Sequence, residues 1–88
     1  MESSMPLFRK RPVVVEAVQN LPGAEVPSWL QDAVLTKKVR GQLGGHLAID
    51  TGGGPTKAIT GDWIVRDAGG AVFAVKPLLF DATYELPT

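Results

Sequence analysis

Few residues in this chain have side chains suited to chemistry. Cysteine is absent, which removes thiolate nucleophiles, cysteine-based metal sites and disulfides together. His46 is the only histidine, and without a second histidine or a cysteine it makes no metal-ligand pattern. A nucleophilic triad built on it needs a serine, and the chain offers only Ser3, Ser4 and Ser28. Two of these lie in the N-terminal arm. The third stands beside a helix start, where capping is the simpler role. Gly52-Gly53-Gly54 invites comparison with a phosphate-binding loop, but no Gly-Lys-Ser/Thr ending follows and no helical pattern opens after it. Carboxylates and cations remain. Asp62 with Glu16 or Glu85 could form an acid–base pair if two of them met in a cleft. Asp62 follows Gly61, however, and an aspartate in a turn commonly accepts backbone N–H groups, so a turn-forming role is expected first. Glu16 interrupts a run of valines and reads as a strand-edge or solvent-facing residue, with a buried carboxylate paired to a base such as Arg66 as the sharper alternative. No catalytic residue, metal site or cofactor is assigned.

The elements that must position these groups centre on residues 60–75. Trp63-Ile64-Val65 and Val72-Phe73-Ala74-Val75 are short runs of β-branched and aromatic residues, joined by a link that holds Asp67, Gly69 and Gly70. That pattern predicts a β-hairpin, because hairpin turns require the positive φ that glycine tolerates. Asp62, Trp63, Arg66 and Lys76 fall on or beside this hairpin, and Tyr84 follows it. These five residues are the candidate ligand- or partner-binding set.

Along the rest of the chain, residues 1–7 read as an arm and residues 8–88 as a single domain. Val13 to Val18 reads as a strand buried on both faces or central in a sheet, with Pro12 at its first position. Gln19-Asn20-Leu21-Pro22-Gly23 is a turn segment marked by its Pro-Gly. Val26, Trp29, Leu30, Ala33 and Val34 then recur at helical spacing, predicting a helix over 27–35 that docks on the sheet with Trp29 in the core. Thr36 to Gln42 reads as a loop or short edge strand, His46 to Asp50 as a half-exposed strand, and Lys57 to Ile59 as its short partner. Pro77 opens a single helical turn, and Thr83 to Leu86 closes the chain as a strand. The whole is α+β: a small, twisted, mainly antiparallel sheet of about five strands, curled toward a barrel, with one packed helix. Val13, Val15, Trp29, Leu30, Ile49, Ile64, Val72, Phe73, Phe80 and Tyr84 are expected in the core.

Formal net charge is zero, with nine Lys/Arg against nine Asp/Glu, and this argues against a dedicated nucleic-acid binder. Residues 1–44 carry +2 and residues 45–88 carry −2, an asymmetry compatible with contacts between copies in a homo-oligomer. The basic residues Arg9, Lys10, Arg11, Lys37, Lys38 and Arg40 could form an anion-binding patch, though a solvated surface is the plainer expectation. No apolar run approaches the ~18 residues needed to cross a bilayer, and no apolar signal segment precedes the basic cluster. A cytoplasmic location is expected, with no membrane partner.

Phe8-Arg9-Lys10-Arg11-Pro12-Val13-Val14-Val15-Glu16-Ala17-Val18-Gln19 resembles the opening of a widespread group of small phage and prophage proteins. Their C-terminal half is similar to Gly61-Asp62-Trp63-Ile64-Val65-Arg66, followed by Gly70, Phe73, Lys76-Pro77, Phe80 and Thr83-Tyr84-Glu85. The match covers both ends of the chain, and the middle corresponds only by position. Thr60 stands where that group usually has proline, Val75 where it commonly has cysteine, and Leu78 where it commonly has an acidic residue. The group has no assigned activity, so the resemblance implies a phage setting in the bacterial host cytoplasm. Accessory proteins of this size in that setting commonly act by binding, and with no nucleophile–base pair or metal set in the chain the expectation is a non-enzymatic protein that binds a host or phage protein. A small-ligand or nucleotide-binding pocket built on Arg66, Lys76 and the ring of Trp63 or Tyr84 is the alternative, and a structural component of the particle is a further one.

Overall fold

The computed structural model describes residues 14–51 and 53–85. Val13, the arm, the basic cluster Arg9 to Arg11, and Leu86 lie outside the described residues. The described chain is α+β, with six strands in two open antiparallel sheets and two helices: β1 (Glu16–Gln19), α1 (Ser28–Leu35), β2 (Val39–Gly41), β3 (Leu47–Asp50), β4 (Pro55–Ala58), β5 (Trp63–Arg66), β6 (Val72–Val75) and α2 (Pro77–Thr83). One sheet has the order β1-β5-β6, and the other β2-β3-β4. The expected single sheet of about five strands curling into a barrel is thus corrected to two open sheets, and one helix to two.

The hairpin at residues 63–75 forms as its composition dictates. Trp63 pairs with Val75 and Arg66 with Val72. Asp67 closes the connection: its Oδ1 accepts the N–H groups of Gly69 and Ala71, each at 2.9 Å. Gly70 supplies the positive φ, 89°. β5 is the central strand of its sheet, flanked by β6 and β1. The valine run at 13–18 was expected to be central or buried on both faces. Instead β1 is an edge strand that starts only at Glu16, and Val14 is 68% exposed.

The core lies where the two sheets and α1 meet. Leu30 and Ala33 of α1 join Val39, Ile49, Ala58, Ile64 and Val72, with Val18, Trp29, Leu47 and Ala74 packed partly against them. Strand alternation accounts for the sorting. Val39 pairs with Ile49, and Leu47 with Ala58, so alternate residues of the second sheet point inward. Of the expected core, Leu30, Ile49, Ile64 and Val72 are buried, while Val15, Trp29, Phe73, Phe80 and Tyr84 are only partly so. Val39, Ala58 and Val65, all essentially inaccessible, were not anticipated.

Three boundaries differ from expectation for identifiable reasons. β4 begins at Pro55, three residues before Ala58, because proline is tolerated at the first position of an edge strand. α2 extends to Thr83 where a closing strand from Thr83 was expected. Pro77 starts it at N1 and it takes in Thr83, while Tyr84, its C-cap, is already extended and pairs with no strand among the described residues. Ser28 is not a cap: Pro27 occupies that position in extended conformation, with no side-chain cap bond.

The C-terminal end of α1 carries strain. The N–H of Lys37 bonds Val34 O at 3.0 Å and that of Lys38 bonds Ala33 O at 2.9 Å, a Schellman closure. Its left-handed position, where glycine is the usual occupant, is Lys37 at φ 64°. Lys37→Gly should raise stability by about 0.5–1 kcal/mol, the relieved left-handed strain less the greater entropy of an unfolded glycine. A urea midpoint that falls instead would show that Lys37 makes compensating contacts.

Candidate functional site

Asp62 stands at the entrance of β5, at the end of the turn Ile59-Thr60-Gly61-Asp62. The turn is closed by the Asp62 N–H to Ile59 O bond at 3.0 Å, with Gly61 at φ 96°. Positive φ at the third residue calls for glycine, and the second position favours proline. Thr60 occupies that second position, where the resembled pattern has its proline. The Asp62 side chain turns inward and is 2% exposed. Its Oδ2 accepts the Ile59 N–H at 3.1 Å and the Lys76 Nζ at 2.9 Å. The turn-forming role expected of Asp62 is therefore its observed one, with a cation added. Register explains the cation: Trp63 opposes Val75, so one step further Asp62 opposes Lys76.

Asn20 joins this end of the molecule together. Its backbone continues the β1–β5 ladder, donating to Asp62 O and accepting from the Gly61 N–H, both at 2.8 Å. Its side-chain amide reaches the other sheet, donating to Gly45 O at 3.0 Å and Ala58 O at 3.3 Å. Gln19 adds a bond from Nε2 to Gly61 O at 2.9 Å. Sequence reasoning placed Asn20 in a turn and assigned it nothing, since no local pattern records a bond spanning thirty-eight residues.

The aromatic members lie on the opposite face of the β1-β5-β6 sheet from the core. Trp63 stacks on Phe80 of α2 with ring centroids 4.0 Å apart and planes 3° from parallel. Phe80 in turn meets Tyr84 at 5.0 Å, tilted by 35°. This ladder fixes α2 to the sheet, with offset aromatic contact adding to burial. One face of the Trp63 ring is thereby occupied by Phe80.

Arg66 is not part of this group. It lies at the other end of β5, opposite Glu16, and its Nη1 meets Glu16 Oε1 at 2.8 Å. Glu16 is solvent-facing, as first expected, and not the buried carboxylate of the alternative, although it does meet Arg66: the side chains are 56% and 41% exposed. Four residues of extended chain, about 13 Å, separate Asp62 from Arg66. Of the five sequence-selected residues, the structure brings Asp62 and Lys76 into contact, places Trp63 and Tyr84 against Phe80, and leaves Arg66 apart. The Asp62–Glu16 acid–base pair is not assembled, because each carboxylate serves a different end of the strand. Among the described residues no group of three or more His, Asp or Glu side chains is placed to hold a metal ion.

A second feature lies beside α1. Leu21, Val26, Val34 and Leu35 are 46%, 47%, 47% and 78% exposed. A cleft of about 180 Å³ opens between the first three and the buried side chains of Leu30, Val39 and Ile64. The apolar stripe on α1 was legible in the sequence. It was read as wholly docked, but only Leu30 and Ala33 of it are buried.

Comparisons of the chain with protein-family models, with curated proteins and with solved structures found no match. No helix among the described residues is long and apolar enough to cross a membrane.

Proposed function

We propose that the chain is a non-enzymatic accessory protein that works by binding another protein, in the phage or prophage setting its terminal motifs imply. The observation that carries this reading is the half-exposed aliphatic rim of Leu21, Val26 and Val34 around the cleft beside α1. A contiguous apolar rim over a cleft is the kind of surface on which a partner's anchoring side chain finds most of its binding energy. The volume suits one large side chain: a dry apolar cavity of roughly 150 Å³ accepts benzene.

Val34→Asp tests the reading. The position is exposed, so the fold should survive with a change of about 0.5 kcal/mol or less, while a charge at the rim should weaken partner binding at least tenfold. Proteins retained from infected host lysate by the parent chain and lost with the variant support the proposal. Retention of the same proteins by both, or of none above background, sinks it. Sedimentation of the purified chain settles whether the partner is a second copy.

The nucleotide-pocket alternative has less to stand on. Arg66 and Lys76 lie at opposite ends of the hairpin, and each already faces a carboxylate.

A further inference from the structure

The zero net charge conceals a strong segregation. From Thr36 to Ala58, the segment that builds β2, β3 and β4, the chain carries Lys37, Lys38, Arg40 and Lys57 against Asp50 alone, for +3. The other residues hold five Lys/Arg against eight Asp/Glu, for −3. Dividing the chain at its midpoint blurs this difference.

Strand alternation then sorts the cations. Val39, Ile49, Leu47 and Ala58 point to the core, so the intervening positions point the other way. Arg40 opposes Ala48, and Ala48 opposes Lys57, which makes one cross-strand row. Lys38 precedes it on the same face: the Asp50 N–H bonds Lys38 O at 2.8 Å, extending the β2–β3 ladder by one pair. Lys38, Arg40 and Lys57 are all exposed, and no helix covers them. Asp50 shares this face opposite Lys38, so the face carries three cations and one carboxylate; Arg40 and Lys57 are not members of the Arg66–Glu16 or Lys76–Asp62 pairs. Adjacent strands lie about 4.8 Å apart, so Arg40 and Lys57 flank Ala48 across about 10 Å. The small Ala48 between two long cationic side chains leaves a saddle into which both can lean. Beyond Lys38 the surface continues into an open hollow of about 810 Å³, lined in part by Thr36, Lys37 and Thr51.

We propose that this outer face of the β2-β3-β4 sheet binds single-stranded nucleic acid through its phosphates, without reading its bases. Charge complementarity selects a polyanion. Extended cations on a narrow, three-stranded surface match a single phosphodiester strand better than the width of a duplex. Residues 36–58 contain no Phe, Tyr or Trp, so the cationic row itself has no platform for base stacking; an aromatic, Phe73, lines the adjoining hollow. Composition argued against a dedicated nucleic-acid binder, and that expectation rests on total charge. The placement of charge on one sheet face reverses it. This goes beyond the protein-binding proposal and uses a different surface, since the row faces away from the core side where α1 packs.

The experiment is fluorescence anisotropy of a labelled oligo(dT) of about twelve nucleotides, a length within the span single-strand binders cover. With about three phosphates engaged, affinity should fall roughly twenty-fold between about 50 mM and about 200 mM salt. R40E/K57E should abolish binding, and R66Q, a change at the far end of the other sheet, should leave it intact. Thermal melts confirm that each variant is folded; if R40E/K57E is not, R40Q/K57Q takes its place and should weaken binding about tenfold or more. Four results would overturn the proposal: no binding at the lower salt, an affinity indifferent to salt, equal binding by the parent and the double variant, or a poly-glutamate chain of matched charge that binds more tightly than the oligonucleotide. None of these touches the Val34 test, so the two proposals fail separately.

Discussion

Asp62→Ala should destabilise the fold by about 2–3 kcal/mol. Asp62 is 2% exposed, and its carboxylate accepts both the Ile59 N–H and the Lys76 ammonium. Its removal leaves the Ile59 N–H without its acceptor in a part-buried site, at about 1–3 kcal/mol, and discards a charge-assisted bond. The loss stays below the 3–5 kcal/mol typical of a wholly buried pair, because the Lys76 side chain is 64% exposed and can return to water. Asp62→Asn keeps an oxygen for the Ile59 N–H and should cost about half as much. For a chain of this length total stability is about 4–13 kcal/mol, so the alanine change consumes a large part of it. Urea unfolding checks the prediction: the midpoint should fall while the slope stays unchanged. A shift below about 0.5 kcal/mol would mean that Asp62 is held for binding rather than for the fold.

The order of these costs states what Asp62 does. An aspartate next to glycine at the mouth of a strand was legible as a turn residue, and so it is. Its partner follows once the register is known: five residues run from Asp62 through Arg66, five return from Val72 through Lys76, and antiparallel pairing sets the first against the last. Arg66 and Glu16 meet by the same rule on the other side of β5. Which strands share a sheet could not be read in this way. Each strand has only three or four residues, and their patterns do not distinguish one sheet of five strands from two sheets of three. β1 looked central because valines crowd it, yet pairing leaves it at an edge. The Thr-Tyr-Glu segment favours strand locally, and Tyr84 is extended, but no neighbouring strand pairs with it among the described residues; its ring packs on Phe80 instead. The basic row Arg40-Ala48-Lys57 joins residues eight and nine positions apart along the chain, and becomes visible only when β2 and β4 are known to flank β3.

The largest single loss should come from Ile49→Ala, about 3–4 kcal/mol, within the range for removing a buried isoleucine side chain. Ile49 is wholly inaccessible and sits on the central strand of its sheet, with Val39 and Thr56 as cross-strand neighbours. It belongs to the cluster that also contains Ile64 and Val72 from the other sheet and Leu30 from α1. Its deletion therefore opens a void at the place where three elements share one contact, and none can close it without moving away from the other two. Ile59→Ala gives the contrast. That side chain is 40% exposed, and its loss should cost about 1 kcal/mol or less. The difference isolates packing between layers from hydrophobicity as such, since both substitutions delete the same atoms. Because the basic sheet face and the apolar rim of α1 are held in their relative places through this cluster, Ile49→Ala should weaken both proposed binding activities in step with the unfolded fraction. Ile59→Ala should weaken neither. Equal midpoints in urea for the two variants would mean that the sheets do not pack through Ile49, and the separation of the two surfaces onto opposite sides of one core would fall with it.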